Sequence, residues 1–499
     1  MKKNRIVLLS MVVCALVAGG CTMAPKYERP SSPIPSEWPT GKAYDPTKVS
    51  KPGSPEGEDA LNLRWREFFT DSKLRELIGI ALENNRQLRG ATLSVEYYRQ
   101  LYNIQRSDLF PTIAGGLGAS SQRVPADLSG TGQRITTDRY DASLGAASWE
   151  IDFFGRIRSL KDAAMQEYLA TEQARRGAQI AVISAVARTY LNIASAQECV
   201  ALDEELIASY RDTYERVKRN YDLGLISEID VSRSASQVAV AEKSAAVYLQ
   251  LLAKSKNSLE FLLGGPIPEE LLPERLRGLT PAREVSAGIS SEILLKRPDV
   301  LAAENKLLAA NANIGAARAA YFPRISLTAA IGSASSELSG LFKSGSGYWS
   351  YAPQLMMPIF DMRTWSSHSA SKVKKEMMIS EYEKSIQSAF REVADVLASL
   401  GTVDQQLKAQ EDYVASVKRT YDLANYRYES QIDNYLSLLD AQRSLRTSEQ
   451  TLVALTLEKF VNQIDLYTVL GGGWEDSPAE AEETPQAAEA ESAPADAAQ

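Results

Sequence analysis

The feature that most limits what this chain can fold into is the absence of helix breakers over two very long stretches. No proline occurs between Pro125 and Pro266 or between Pro358 and Pro478, and Gly177 is the only glycine between Gly155 and Gly224. A proline inside a helix costs about 3 kcal/mol and a glycine about 1 kcal/mol relative to alanine, so very long helices can run unbroken within these stretches. A helix from about Ser159 to Tyr221 would run roughly 90 Å at about 1.5 Å per residue, several times the globular average. No single compact domain can wrap such a rod. Its apolar seam can be buried only against other long helices.

The chain is also written twice, residues about 60–265 aligning with residues about 275–472 at an offset of roughly 207–212. Arg86-Gln87-Leu88 falls on Pro298-Asp299-Val300, Phe110-Pro111 on Phe322-Pro323, Phe154 near Phe360, and Gly264-Gly265 on Gly471-Gly472. In the helical part Ile207, Tyr210, Tyr214, Val217 and Tyr221 fall, at one constant offset, on Val414, Val417, Tyr421, Ala424 and Tyr428, both sets stepping 3, 4, 3, 4. That is the same heptad seam once in each half. A first repeat over 59–265 then reads as a helix, a β pair at 112–124 and 138–153, and long helices over about 158–221 and 227–263. A second repeat over 266–473 gives a helix, a β pair at 324–334 and 347–360, and long helices over about 363–429 and 434–469.

The strand segments carry a different period. Ile325, Leu327, Ala329 and Ile331 alternate with Ser326, Thr328, Ala330 and Gly332, and Trp349, Tyr351, Leu355 and Met357 alternate with Tyr348, Ser350 and Gln354. The first-half pair is rich in small and polar residues and carries Leu144, Trp149 and Phe153. Strands of about ten residues, apolar outward and polar inward with aromatic girdles, are the pattern of a transmembrane β-barrel. The glycine-containing loops Pro125 to Gly132 and Ser333 to Gly347 would face outward. A bilayer accepts strands only as closed barrels, because an open edge leaves N–H and C=O groups unpaired in hydrocarbon. Four strands close nothing, so copies must combine. About eight strands give an interior filled by side chains, whereas a conduit needs about twelve or more.

The ends and the composition narrow the function. A net charge of −8 without a basic stripe argues against nucleic acid. Three cysteines and one histidine, His368, leave no thiolate metal site or disulfide framework. Cys199 lies in an alanine-rich helix and reads as core packing. His368 reads as a polar helix-face residue, and the serine- and glycine-rich runs lack a histidine base or a phosphate loop, so no enzyme and no cofactor is expected. Residues 1–20 read as a signal peptide, with Lys2, Lys3 and Arg5 before an apolar run that is too short to span a membrane. Cys21 after Gly19-Gly20 resembles a bacterial lipobox, which implies a diacylglycerol and an N-acyl lipid on Cys21. Residues 21–58 form a proline-rich tether along the surface, and residues 474–499 an acidic tail expected to be disordered.

Four segments carry a family resemblance: Trp149-Glu150-Ile151-Asp152-Phe153-Phe154-Gly155, Arg297-Pro298-Asp299-Val300, the run from Ala312 to Pro323, and the run from Asn434 to Arg443. With the order of leader, tether, duplicated halves and long helices, the chain resembles the TolC/OprM type of outer-membrane efflux protein, the outer membrane factor family, and within it the lipoprotein NodT-like branch. The resemblance implies a mainly α fold with a transmembrane β part, four strands per protomer completing a twelve-stranded trimeric β-barrel continued by a long periplasmic α-helical coiled-coil tunnel. It implies a homotrimer anchored by lipid in the outer membrane of a Gram-negative cell. The partners it implies are a periplasmic membrane-fusion adaptor and an inner-membrane RND-type pump, with no nucleic acid.

By the same resemblance Asp440 is an acidic ring at the periplasmic gate, with Arg443, Tyr428 and Asp433 supplying latching contacts. Asp440 and Arg443 lie three residues apart and share a helix face. Where some relatives carry a second gate aspartate this chain has Ser437, so one acidic ring is expected and strong cation selectivity is not. The adaptor-contacting helix turns would be Gly224, Leu225, Ile226 and Ser227 in the first half and Gln431 and Ile432 in the second. The exit duct of a type I protein-secretion system shares the same architecture and stands as an alternative. A structural coiled-coil lipoprotein without a pore is the third reading.

Overall fold

The computed structural model describes residues 22–44, 63–285, 287 and 290–473. The expected leader, Cys21 and the acidic tail lie outside them. Two compact units are drawn from the chain. One takes Met1–Ser31, Leu93–Gln173 and Leu301–Ser385, the other Ser32–Thr92, Ala174–Val300 and Ile386–Gln499. The elements run α1 (Trp65–Phe68), α2 (Ser72–Asn84), α3 (Arg86–Ser107), β1 (Ile113–Val124), β2 (Ile135–Ile151), α4 (Arg156–Asp222) and α5 (Glu228–Leu263), then α6 (Pro298–Ala319), β3 (Arg324–Ser335), β4 (Gly347–Met356), α7 (Met362–Glu429) and α8 (Tyr435–Val469). The two proline-free stretches give α4 with 67 residues and α7 with 68. Among the described residues no helix is long and apolar enough to cross a membrane.

The first unit holds one antiparallel sheet in the order β1-β2-β3-β4. Its register aligns Leu117 with Ala142, Leu144 with Ile331, Ile331 with Trp349, Ala329 with Tyr351, and Ile325 with Leu355, so one face is apolar along all four strands. The opposite face carries Gly116, Ser143, Gly332 and Tyr348 at one level, and Ser326 and Gln354 at another. The apolar face is bare within one chain: Leu117 is 84 % exposed, Trp349 72 % and Leu355 65 %.

A β-bulge keeps that face continuous. Ala146 pairs with Ala329 and Trp149 with Leu327, so Ala147 and Ser148 together oppose Thr328. Ser148 takes a left-handed φ of 51°, and its N–H donates to Thr328 Oγ1 at 3.1 Å. One extra residue reverses the alternation of sides. Leu144 and Trp149, an odd number of positions apart, therefore share a face, which unbroken alternation could not give.

The strand ends differ from the expected ranges. β2 begins at Ile135 and stops at Ile151, so Phe153, whose N–H donates to Ile151 O at 2.8 Å, lies in the following turn. β4 stops at Met356, short of the expected 360, and Met357 lies outside it. The ladder ends there at the pair Arg324 with Met356, because Pro323 precedes β3 and Pro358, which has no N–H, follows β4. Below the strands Asp152 Oδ2 accepts from the N–H of Arg158 at 2.8 Å and Asp361 Oδ1 from that of Arg363 at 2.9 Å, so each long helix starts under a carboxylate. Glu150 holds Arg156 through two bonds of 2.8 Å, and Phe154 stacks on Phe322 at 4.8 Å.

The start of the proline-rich segment is strapped to α6 in the same unit. Met23 O accepts from Arg318 at 3.4 Å, Pro25 O from Asn311 at 2.8 Å, and Arg29 grips Glu304 at 2.7 and 2.6 Å, with the Tyr27 hydroxyl also on Glu304 at 3.1 Å. The two segments run antiparallel. Gly315 is required at the crossing, since a Cβ there would sit 2.7 Å from Ala24 N.

The second unit contains the main aromatic core. Phe68, Phe69, Leu74, Leu77, Ile183, Tyr190 and Tyr467 are all fully buried, each contributing roughly 1.5–3 kcal/mol by burial. Tyr467 stacks on Phe68 at 3.9 Å and its hydroxyl donates to Leu63 O at 2.6 Å. Asp71 caps α2 by accepting from Lys73 N at 2.8 Å, and its other oxygen accepts from the Tyr190 hydroxyl at 2.9 Å. Burial, with the Asp71 charge beside it, pushes the Tyr190 hydroxyl well above the usual phenol range. Arg297 joins Asp299 at 2.7 Å and Glu392 at 2.9 Å, and donates to Val469 O at the C-terminus of α8. The expected surface tether needs one correction here. Trp38 is 4 % exposed and stacks on Phe390 at 5.4 Å, so part of that segment belongs to the core.

Candidate gate and helix-turn site

The candidate residues sit at two helix turns, α4 to α5 and α7 to α8, in the second unit. In the first turn Gly224 adopts φ 75°, Gly224 N–H donates to Tyr221 O at 2.7 Å, and Leu225 N–H reaches back to Asn220 O at 2.9 Å. This is a left-handed helix stop that satisfies carbonyls the helix leaves open. Ser227 directly precedes α5, its hydroxyl donating to Asp230 Oδ2 at 3.0 Å. In the second turn Gln431 adopts φ 58°, Gln431 N–H donates to Tyr428 O at 3.0 Å, and Ile432 N–H reaches Arg427 O at 2.9 Å. Asn434 caps α8, its Oδ1 accepting from Ser437 N at 3.2 Å.

Behind the turns Val217, Tyr435, Leu438 and Leu439 form a buried cluster against which Ile226, Val231, Tyr421 and Tyr428 pack. These include three heptad-seam residues, Val217, Tyr421 and Tyr428, so the seam is a packing surface. The Tyr428 ring lies 5.6 Å from that of Tyr435, and burial raises its hydroxyl pKa. Leu225 is 70 % exposed and Ile432 58 %, so each turn presents an apolar residue to the outside of the chain. Of the turn residues, Ile226 alone faces inward to the cluster.

The four expected gate residues divide into separate positions. Asp433 Oδ2 accepts from Arg427 Nε at 2.7 Å, across the turn and away from Arg443. Arg427 joins the expected site residues here, its place six residues before Asp433 spanning the turn. Asp440 and Arg443 both lie on the exposed side of α8, and no ion pair joins them among the described residues. On that side Ser437, Asp440, Ser444, Thr447 and Thr451 are all exposed and step 3, 4, 3, 4, one polar stripe along the helix. Leu438, Leu439, Ala441 and Gln442 fill the buried side. Asp440 is the only charge on this stripe, with Ser437 one turn closer to the helix turn. Cys21 lies outside the described residues. Cys199 is buried, as expected for packing. His368 meets the Tyr321 ring edge-on at 5.6 Å.

The fold has known counterparts. The family model described as outer membrane efflux protein matches residues 77–265 and 289–472. The probable efflux pump outer membrane protein TtgC of Pseudomonas putida is 43% identical over 468 residues, covering 94% of this chain and 96% of the relative. Outer membrane protein OprJ of Pseudomonas aeruginosa is 38% identical over 471 residues, covering 94% and 96%. The open state of the MtrE outer membrane channel of Neisseria gonorrhoeae matches with a TM-score of 0.81 at 36% identity, covering 91% of this chain and 99% of that one. That likeness identifies the four strands as part of a β-barrel continued by a helical tunnel, in the outer membrane of a Gram-negative cell. The two matched stretches cover most of each repeat, and the chain belongs to the outer membrane efflux protein family.

Proposed function

We propose that three copies of this chain form the outer-membrane duct of a tripartite efflux system, passing small molecules from an inner-membrane RND-type pump, through a periplasmic adaptor, to the exterior. The observation that carries this is the sheet: one apolar face, one face of small and polar residues, and two edges, β1 and β4, that have no strand partner among the described residues. Joining β4 of each copy to β1 of the next satisfies those edges. Three copies give about twelve strands, enough for a lumen lined by the polar face. Relatives named as toluene and antibiotic efflux pump proteins support small organic compounds as cargo.

Within this reading the polar stripe of α8 faces the tunnel axis, so the three Asp440 carboxylates form the periplasmic ring, with Arg443 beside them and Tyr428 and Asp433 bracing the turn behind. The exposed apolar residues of the turns, Leu225 and Ile432, supply adaptor contacts together with Gly224, Ile226, Ser227 and Gln431. Lipid on Cys21 anchors each copy. The test is deletion of the gene followed by susceptibility to dyes, bile salts and solvents. Sensitisation restored by the wild-type gene supports the proposal. Unchanged susceptibility together with loss of a secreted protein from the medium overturns it in favour of the secretion duct.

A further inference from the structure

The apolar face of the sheet is uneven near its hairpin-loop end. There Leu144 pairs with Ile331, and one row outward Leu117 pairs with Ala142, Ala142 with Ser333 and Ser333 with Gly347. Rows on one face lie about 7 Å apart along a strand, so the small residues of the outer row leave a gap beyond Leu144 and Ile331. The β3–β4 loop closes the far side of this gap. Ser333 Oγ donates to Leu341 O, Lys343 N–H to Gly340 O at 3.1 Å, and Ser346 Oγ to Lys343 O at 2.6 Å, which sets Phe342 beside Ser333. The result is an open hollow of about 480 Å³ whose lining includes Leu117, Ala142, Leu144, Ile331, Ser333 and Phe342. Its size falls in the range of roughly 300–1,000 Å³ usual for small-molecule sites.

The neighbouring rows fix the height of this hollow on the barrel. Toward the helices the apolar face continues through Ala146 with Ala329, Trp149 with Leu327, and Ile151 with Ile325. Toward the loops it ends, Tyr140 pairing with Ser335, Asp138 with Ser121 and Thr136 with Arg123. The hollow therefore lies at the outer limit of the apolar band, in the outer leaflet and just below its head groups. An acyl chain gains little by leaving lipid for a protein surface that is equally apolar, so selectivity has to come from shape and from the head group. Lys343, next to Phe342 in the loop, supplies an exposed ammonium. The loop's carboxylate, Glu337, accepts from Ser339 Oγ at 3.3 Å, and Arg123 has Asp138 one row away on its own face.

We infer that the hollow binds an acyl chain of a phosphorylated, multiply acylated glycolipid of the outer leaflet, lipopolysaccharide, with Lys343 on a phosphate of its head group. Each protomer carries one such site, on the outside of the barrel and away from the lumen. The inference rests on the outer-membrane barrel and not on what the duct carries, so it stands or falls separately from the efflux reading.

The test counts lipids by native mass spectrometry on the delipidated, detergent-solubilised oligomer after addition of rough-type lipopolysaccharide or of phosphatidylglycerol, an anionic lipid without the sugar. Wild type is expected to retain a lipopolysaccharide on each protomer and little phosphatidylglycerol. Ala142→Phe, which fills the floor of the hollow with another apolar side chain, is expected to abolish that retention. Ala329→Phe, on the same face two rows nearer the helices, is expected to leave it unchanged. Lys343→Gln is expected to weaken binding about fivefold, the scale of one exposed charge contact. Equal retention by wild type and Ala142→Phe overturns the site, as does a wild type that retains neither lipid. Phosphatidylglycerol held as tightly as lipopolysaccharide overturns the glycolipid assignment. If Ala142→Phe gives no heat-resistant oligomer, Lys343→Gln, outside the strands, decides the matter: lipopolysaccharide binding at the wild-type level overturns the site.

Discussion

Gly224 and Gln431 are one backbone position occurring twice, with φ of 75° and 58°. Around each, an N–H one residue later reaches back five residues, Leu225 to Asn220 O and Ile432 to Arg427 O, both at 2.9 Å. Glycine takes this conformation without strain, and a side chain there costs about 1–2 kcal/mol. Nothing lies within 4 Å of a Cβ built on Gly224, so the cost of adding one is conformational only. Gly224→Ala is expected to lower the protection of the Leu225 amide in hydrogen exchange about fivefold, equivalent to about 1 kcal/mol of local stability. Gln431→Gly is expected to raise that of Ile432 by a smaller factor.

The bulge can be deleted without turning the sheet over. Removing Ala147 leaves Leu144 and Trp149 four positions apart, so plain alternation keeps Trp149 and Ile151 on the apolar face and Glu150, with its two bonds to Arg156, on the polar one. The deletion variant is expected to give the heat-resistant oligomer on gels. Loss of that oligomer contradicts the bulge as the device that sets the faces. Ser148→Gly, which keeps the bulge and suits its positive φ, should assemble as wild type.

Arg297 cannot be replaced by lysine without loss. Its fork meets Asp299 at 3.0 and 2.7 Å and Glu392 at 2.9 Å while a third nitrogen reaches Val469 O. A lysine is a point charge that reproduces part of this set. Arg297→Lys is expected to cost about 2 kcal/mol, a charge-assisted bond or two, measurable by denaturant unfolding of the purified protein.

Asp465 gives a pH dependence of unusual sign. Burial raises its pKa above 3.8, and the attraction of Arg188 offsets this only in part. A raised folded value means that the ionised carboxylate is a burden in the native state at neutral pH, relieved as pH falls through the raised value toward the unfolded one. Asp465→Asn is therefore expected to be more stable than wild type at pH about 7, with the difference shrinking to nothing near pH about 4. Paired melting curves across that range check it. A difference that grows on acidification contradicts the assignment.

Much of this architecture can be read from the chain because it depends on period and on the absence of breakers. The heptad residues Val217 and Tyr428 do meet at the turns, and the fall of Tyr221 on Tyr428 marks both helix ends. The bulge at Ala147 and Ser148 left only an indirect trace, the odd spacing of Leu144 and Trp149. Contacts between distant positions left none. Glu304 meets Arg29 across 275 residues of sequence, and Arg446 meets Ser244 across 202. Composition described the proline-rich segment well but overlooked Trp38, because one buried ring does not alter an average. At the candidate site the polar stripe of α8 is legible only in part: spacing puts Asp440 and Arg443 on one helix face, but single serines and threonines such as Ser444 and Thr447 do not stand out in the sequence as the line's continuation.

The unpaired edges of β1 and β4 have a genetic consequence. A polypeptide that finishes its sheet only on the backbone of its neighbours shares its defects with them. If variant and wild-type copies are produced equally and mix freely in a ring of three, about one ring in eight contains no variant at all. A leaky or blocked allele should then be dominant, and a plasmid-borne copy should sensitise a cell whose own gene is intact.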